Sequence, residues 1–115
     1  MLYGMPIESS KLDGGVAVVK ISGRLVFGRE VDRLESTIAE LLRDGRSKIV
    51  FDLSALDYVD SSGIGTLVAC LTQIKKAGGD LRTAAANTRI NRLFTMTGVD
   101  KLLSLYPSVT EASAG

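Results

Sequence analysis

Histidine and tryptophan are absent from the 115 residues of this chain, which has one cysteine and two prolines. Each absence removes a chemistry. Without histidine there is no Ser-His-Asp hydrolysis, no His-rich metal site and no ordinary side chain that titrates near neutral pH. The single thiol, Cys70, can neither close a disulfide within the chain nor build a zinc site, so a reducing, cytoplasmic setting is expected. Fourteen Lys and Arg against thirteen Asp and Glu leave a formal charge of +1. Such a balance offers no dominant basic face to grip nucleic acid through its phosphates. No run approaches the roughly 18 consecutive apolar residues of a membrane span. Met1 to Pro6 shows neither the basic region nor the apolar run of a secretion signal. A soluble protein with no membrane contact is the expectation.

What is present is a globular composition, 45% hydrophobic and 23% charged, in a length that suits one domain over residues 1–115. Ile7 to Leu12 and Val16 to Ser22 read as strands, and Asp13-Gly14-Gly15 between them supplies the positive φ of a hairpin turn. Gly23 to Gly28 reads as a loop. From Glu30, the residues Val31, Leu34, Ile38, Leu41 and Leu42 fall at helical spacing and Gly45 ends the run. Lys48 to Leu53 holds Ile49, Val50 and Phe51, a continuous apolar stretch that suits a strand covered on both faces. Ile64, Leu67, Val68, Leu71 and Ile74 again repeat at three and four, before Lys75-Lys76 and Ala77-Gly78-Gly79 close a second helix. Leu81 to Ala85 is a fourth strand. Thr88 to Thr97 is a third helix, with Phe94 and Met96 expected at the core or its rim, and Lys101 to Leu105 a last short strand. The tail, residues 108–115, is left as one helical turn or disorder. Strands separated by helices imply parallel pairing, and the leading hairpin adds an antiparallel edge.

The connection from Asp52 to Gly65 carries the chemical information. Joining a buried strand to an amphipathic helix, it lies where open α/β sheets place their functional loops. Asp60, Ser61 and Ser62 can each cap the helix, and Gly63 and Gly65 then sit in its first turn, where glycine is unfavourable by about 1 kcal/mol each. One explanation is close packing of strand and helix. Another is that Ser61 offers its hydroxyl at a helix N-terminus, where a phosphate would meet free N–H groups and add about −2 charge to a docking surface. Nucleotide binding is weaker, because Gly63-x-Gly65 lacks a third glycine and no Walker sequence exists. Asp52, Asp57 and Asp60 as a magnesium site compete with the plainer roles of turn formation by Asp57 and capping by Asp60. Tyr58 and Val59, just before the serines, are the apolar residues to find at the surface if this loop binds a partner, with burial under the loop the equal alternative. Cys70 reads as an inert core thiol.

The stretch Val59-Asp60-Ser61-Ser62-Gly63-Ile64-Gly65 resembles the signature of bacterial anti-sigma factor antagonists of the STAS domain family. The likeness extends to the opening hairpin, Ile49 to Leu53, Lys75 to Gly79, and Asn87 to Arg92 leading into Leu93-Phe94-x-Met96-Thr97-Gly98-Val99. It implies a mixed sheet of four to five strands with an N-terminal hairpin and three to four helices packed on it. It also implies a non-enzymatic cytoplasmic switch without cofactor or metal. In that family the unphosphorylated antagonist binds an anti-sigma factor that is a serine kinase and releases the sigma factor; phosphorylation breaks the complex and a phosphatase restores it. Carried onto this chain, Ser61 becomes the phosphoacceptor. The partner-binding residues become Tyr58, Asp60, Ser61, Ser62, Gly63, Ile64 and Gly65, with Arg24. Family members often read Gly-Glu-Leu-Asp where this chain has Gly23-Arg24-Leu25-Val26, which keeps a scaffold role without a phosphorylation cycle, or a homodimer, as the alternative.

Overall fold

The computed structural model describes residues 7–114; the reading of Met1 to Pro6 lies outside them. Strands β1 (Ile7–Lys11) and β2 (Val16–Ile21) form the expected hairpin, paired in register from Ile7 opposite Ile21 to Lys11 opposite Ala17. Gly14 and Gly15 turn the chain with φ of 85° and 83°, values that side chains with a Cβ rarely adopt. Strand β3 (Gly23–Leu25), helix α1 (Arg29–Arg43), strands β4 (Lys48–Asp52) and β5 (Leu56–Val59), and helix α2 (Ser61–Lys76) follow. The chain ends with β6 (Asp80–Ala84), α3 (Thr88–Thr97), a short 3₁₀ turn at Val99–Lys101, β7 (Ser104–Tyr106) and α4 (Val109–Ser113).

Five strands make the main sheet in the order β1-β2-β4-β6-β7, antiparallel at the hairpin and parallel elsewhere. The mixed sheet, its leading hairpin and the four helices agree with what the resemblance implies. Alternation assigns its two faces. On one face Ala17, Val19, Ile21, Ile49, Phe51 and Leu81 meet Leu34, Ile38 and Leu41 of α1, and Leu67, Cys70 and Ile74 of α2. On the other, Val16, Val18, Val50 and Ala84 are covered by Ala112 and Val109 of α4. The apolar run in β4 is continuous because both faces are buried, as expected.

Three sequence readings need correction. Gly23 to Leu25 is not loop: it pairs in parallel with β5, itself read as part of a polar connection, to make a separate two-stranded sheet. Strands of three and four residues are too short to show a period of two. The last strand begins at Ser104, because Val99–Lys101 is wound into a turn with Leu103 anchored in the core. The tail, left open between a helical turn and disorder, is the helical turn, capped by the Ser108 hydroxyl, which accepts the Glu111 N–H at 3.1 Å. Phe94 is fully buried as expected, but Met96 is 76% exposed, because it shares a helix face with Arg89 and Arg92 rather than with Ile90 and Phe94.

Candidate functional site

The two-stranded sheet exists to aim the start of α2. Leu25, Leu56 and Val59 bury their side chains under it, and the Asp60 N–H donates to the Leu25 carbonyl at 3.3 Å. Asp60 is extended (φ −93°, ψ −176°) and takes the N-cap position, with its Oδ1 accepting the Gly63 N–H at 2.8 Å. Its second oxygen is also used: Oδ2 accepts the Phe27 N–H at 3.0 Å. One carboxylate therefore caps α2 and ties the β3–α1 loop to it. These amides hold the Asp60 pKa below the ordinary carboxylate value, the Phe27 N–H contributing most and the Gly63 N–H next.

Since Asp60 is the cap, Ser61 is not. It stands exposed at the first helical position, where backbone N–H groups lack intrahelical partners. Ser62 is half-buried and Ile64, also half-buried, packs against the core. Gly63 is buried: a Cβ there would land on the Leu25 carbonyl oxygen and lie 2.7 Å from Val59 Cγ1. The packing explanation for that glycine is thus visible in the structure. Gly65 differs, for it is exposed and a Cβ would meet nothing within 4 Å. Ser61, Gly65 and Ala69, four residues apart, leave one face of α2 exposed and without bulk.

Of the remaining candidates, Arg24 and Tyr58 are brought together on the two-stranded sheet, the guanidinium carbon 4.8 Å from the ring centre. Of the pair Tyr58 and Val59, left open between surface and burial, Tyr58 is 47% exposed and Val59 is buried under the sheet. The three aspartates are dispersed in role. Asp52 Oδ1 accepts the Ser54 N–H at 3.0 Å to close a turn, Asp60 caps, and Asp57 lies exposed in β5 rather than forming a turn. Among the described residues no cluster of three or more His, Cys, Asp or Glu could hold a metal ion. Burial pushes the Cys70 thiol up to about 12, with a smaller contribution from Glu35, so it remains protonated.

Phe27 is the residue that sequence reasoning missed. Its ring is 80% exposed although its N–H is held by the cap of α2. The signal available was a phenylalanine directly before Gly28, at the end of the glycine-bounded stretch Gly23 to Gly28.

An exposed aromatic, a glycine-bearing helix start and an exposed serine are thus gathered around the Asp60 carboxylate. The STAS domain family model matches residues 9–112. The chain belongs to the STAS domain family. An anti-sigma-B factor antagonist of Staphylococcus aureus is 33% identical over 86 residues, 74% of this chain and 78% of that protein. A candidate anti-sigma factor antagonist of Thermotoga maritima is 30% identical over 73 residues, 64% of this chain. The match spans 65% of that Thermotoga relative's length. Among solved structures, an anti-sigma factor antagonist from Mycobacterium paratuberculosis superposes with a TM-score of 0.77 at 30% identity, over 92% of this chain and 88% of that one. The Bacillus cell fate determinant SpoIIAA in its phosphorylated form shares the fold, with a TM-score of 0.72 at 17% identity over 92% of this STAS chain and 95% of that one. No helix among the described residues is long and apolar enough to cross a membrane.

Proposed function

We propose that this STAS domain is a non-enzymatic anti-sigma factor antagonist, acting in the cytoplasm as a protein-binding switch controlled by phosphorylation of Ser61. The observation that carries the reading is the division of labour at the start of α2: Asp60 takes the cap, and Ser61 beside it stands exposed. The relatives support it, being named as anti-sigma factor antagonists. In the unmodified state a partner can approach the exposed Phe27 and Tyr58 and the open helix face at Gly65 closely. A phosphate on Ser61 adds about −2 charge next to the Asp60 carboxylate, and a partner shaped for the neutral surface must then desolvate that dianion. A partner of this kind is an anti-sigma factor with serine kinase activity, and a phosphatase reverses the step.

The test is incubation with a serine kinase of the anti-sigma type and ATP, mapping of phosphate by mass spectrometry, and binding of each form to that kinase by calorimetry. Phosphate at Ser61 with loss of binding is expected; phosphate only elsewhere, or equal binding by both forms, sinks the reading. A scaffold role without phosphorylation is the second reading, favoured by Arg24, whose charge on Tyr58 replaces an acidic residue often found there in the family. It predicts concentration-dependent self-association and no incorporation at Ser61.

A further inference from the structure

Below the two-stranded sheet, β5 and α3 enclose a groove of about 300 Å³ whose floor is apolar and whose rim is basic. Arg89, Arg92, Leu93 and Met96 reach it from α3, at the spacing of one helix face, and Tyr58 reaches it from β5. Arg24, stacked on Tyr58, extends the positive rim beyond the groove. Asp57 is the one acidic residue lining it. Three features make this more than a random surface dip. Met96 is 76% exposed, a large apolar side chain presented on the α3 face that carries Arg89 and Arg92. Among the described residues neither Arg89 nor Arg92 forms a salt bridge, although the chain has thirteen acidic residues. The walls are also fixed in advance, because Asn87 caps α3 through the Ile90 N–H at 2.8 Å and donates from Nδ2 to the Leu56 carbonyl at 3.2 Å, locking α3 to β5.

We propose that this groove docks an acidic amphipathic segment of a partner protein. Its apolar residues would lie on Tyr58, Leu93 and Met96, and its carboxylates would meet Arg24, Arg89 and Arg92. Charge decides the occupant. Guanidinium forks hold carboxylates bidentately, and methionine and arginine are the residue types enriched where proteins dock. The thioether and aliphatic floor suits leucine or phenylalanine side chains at helical spacing. A nucleic acid strand fits less well, since Asp57 opposes phosphates and Tyr58 is the one aromatic that lines the groove. Docking here does not depend on Ser61, so it can be measured on unmodified protein, and its failure says nothing about the phosphorylation reading.

The probe is a fluorescein-labelled helical peptide of about sixteen residues with leucines on one face and glutamates on the other. Its glutamine and lysine counterparts and a single-stranded oligodeoxynucleotide of equal charge serve as controls. Anisotropy titrations should show the glutamate peptide binding at least about tenfold more tightly than the others, with affinity falling as salt rises. Backbone amide shifts should centre on Asp57 to Val59 and Arg89 to Met96. Met96→Asp and the pair Arg89→Gln with Arg92→Gln, all at exposed positions and so expected to fold, should each weaken the glutamate peptide about tenfold. The proposal is overturned if the glutamine peptide or the oligonucleotide binds as tightly, if the shifts lie elsewhere, or if folded variants bind like the parent.

Discussion

Asp60 shows how much a single side chain can organise when both of its oxygens are committed. Replacing it with alanine removes the α2 cap and frees the Phe27 loop together, so Asp60→Ala is expected to melt at a lower temperature than the parent. The pH dependence has a definite sign. The folded state holds this carboxylate's pKa below its ordinary value, so its contribution is present above about pH 4 and is lost as pH falls through the folded pKa. Thermal melts of parent and Asp60→Ala should therefore differ at pH 7 and converge in acid; a gap that persists at the lowest pH at which both fold contradicts the assignment. The neighbouring glycines separate packing from presentation. Gly63→Ala drives a methyl into the Leu25 carbonyl and should cost about 1–3 kcal/mol in urea unfolding. Gly65→Ala meets open space and should stabilise the helix by roughly 0.5–1 kcal/mol, while placing bulk four residues from Ser61 and weakening partner docking. Equal stability effects at the two positions would refute this division.

At the scale of elements, what could be read from the sequence tracks how much local signal each element needs. Helices α1 and α2 and the β1–β2 hairpin announce themselves through apolar residues at three and four, and through Asp13-Gly14-Gly15. Strands β3 and β5 do not, because Leu56 and Val59 are buried while Asp57 and Tyr58 between them are exposed, a pattern with no period of two. Their pairing joins residues about thirty positions apart, so only tertiary structure reveals it. The candidate site was legible as a serine after a capping aspartate, but Phe27 was not, since what marks it is a long-range bond to the Asp60 carboxylate. Helix α4 is the least legible element and has a clear duty. Ala112 and Val109 cover Val16, Val18, Val50 and Ala84, and the Arg82 guanidinium donates to the Ala112 carbonyl at 3.0 Å. Ending the chain before Pro107 removes that cover and bond. By roughly 1 kcal/mol for the hydrogen bond and 1–3 for the buried side chains, it should be destabilising by about 2–4 kcal/mol in denaturant unfolding, with increased binding of an apolar dye. An unchanged midpoint without dye binding would show that α4 is dispensable.

For the molecule as a whole, the placement of Ser61 argues that phosphorylation acts on the surface and not on the fold. A dianion at the N-terminus of α2 is favoured by the helix dipole and opposed by the adjacent Asp60 carboxylate, both effects screened by solvent at this exposed position. No buried group has to move to admit it, since Ser61 is exposed. The net charge, in contrast, passes from +1 to about −1. Ser61-phosphorylated protein should therefore melt within about 4 °C of the unmodified form. Amide shifts should be confined to the start of α2 and the Phe27 loop, even where partner affinity falls by orders of magnitude. A large change in melting temperature, or shifts spread through the main sheet, would mean instead that the fold itself switches. The partner would then be responding to a rearranged molecule rather than to charge placed on a fixed surface.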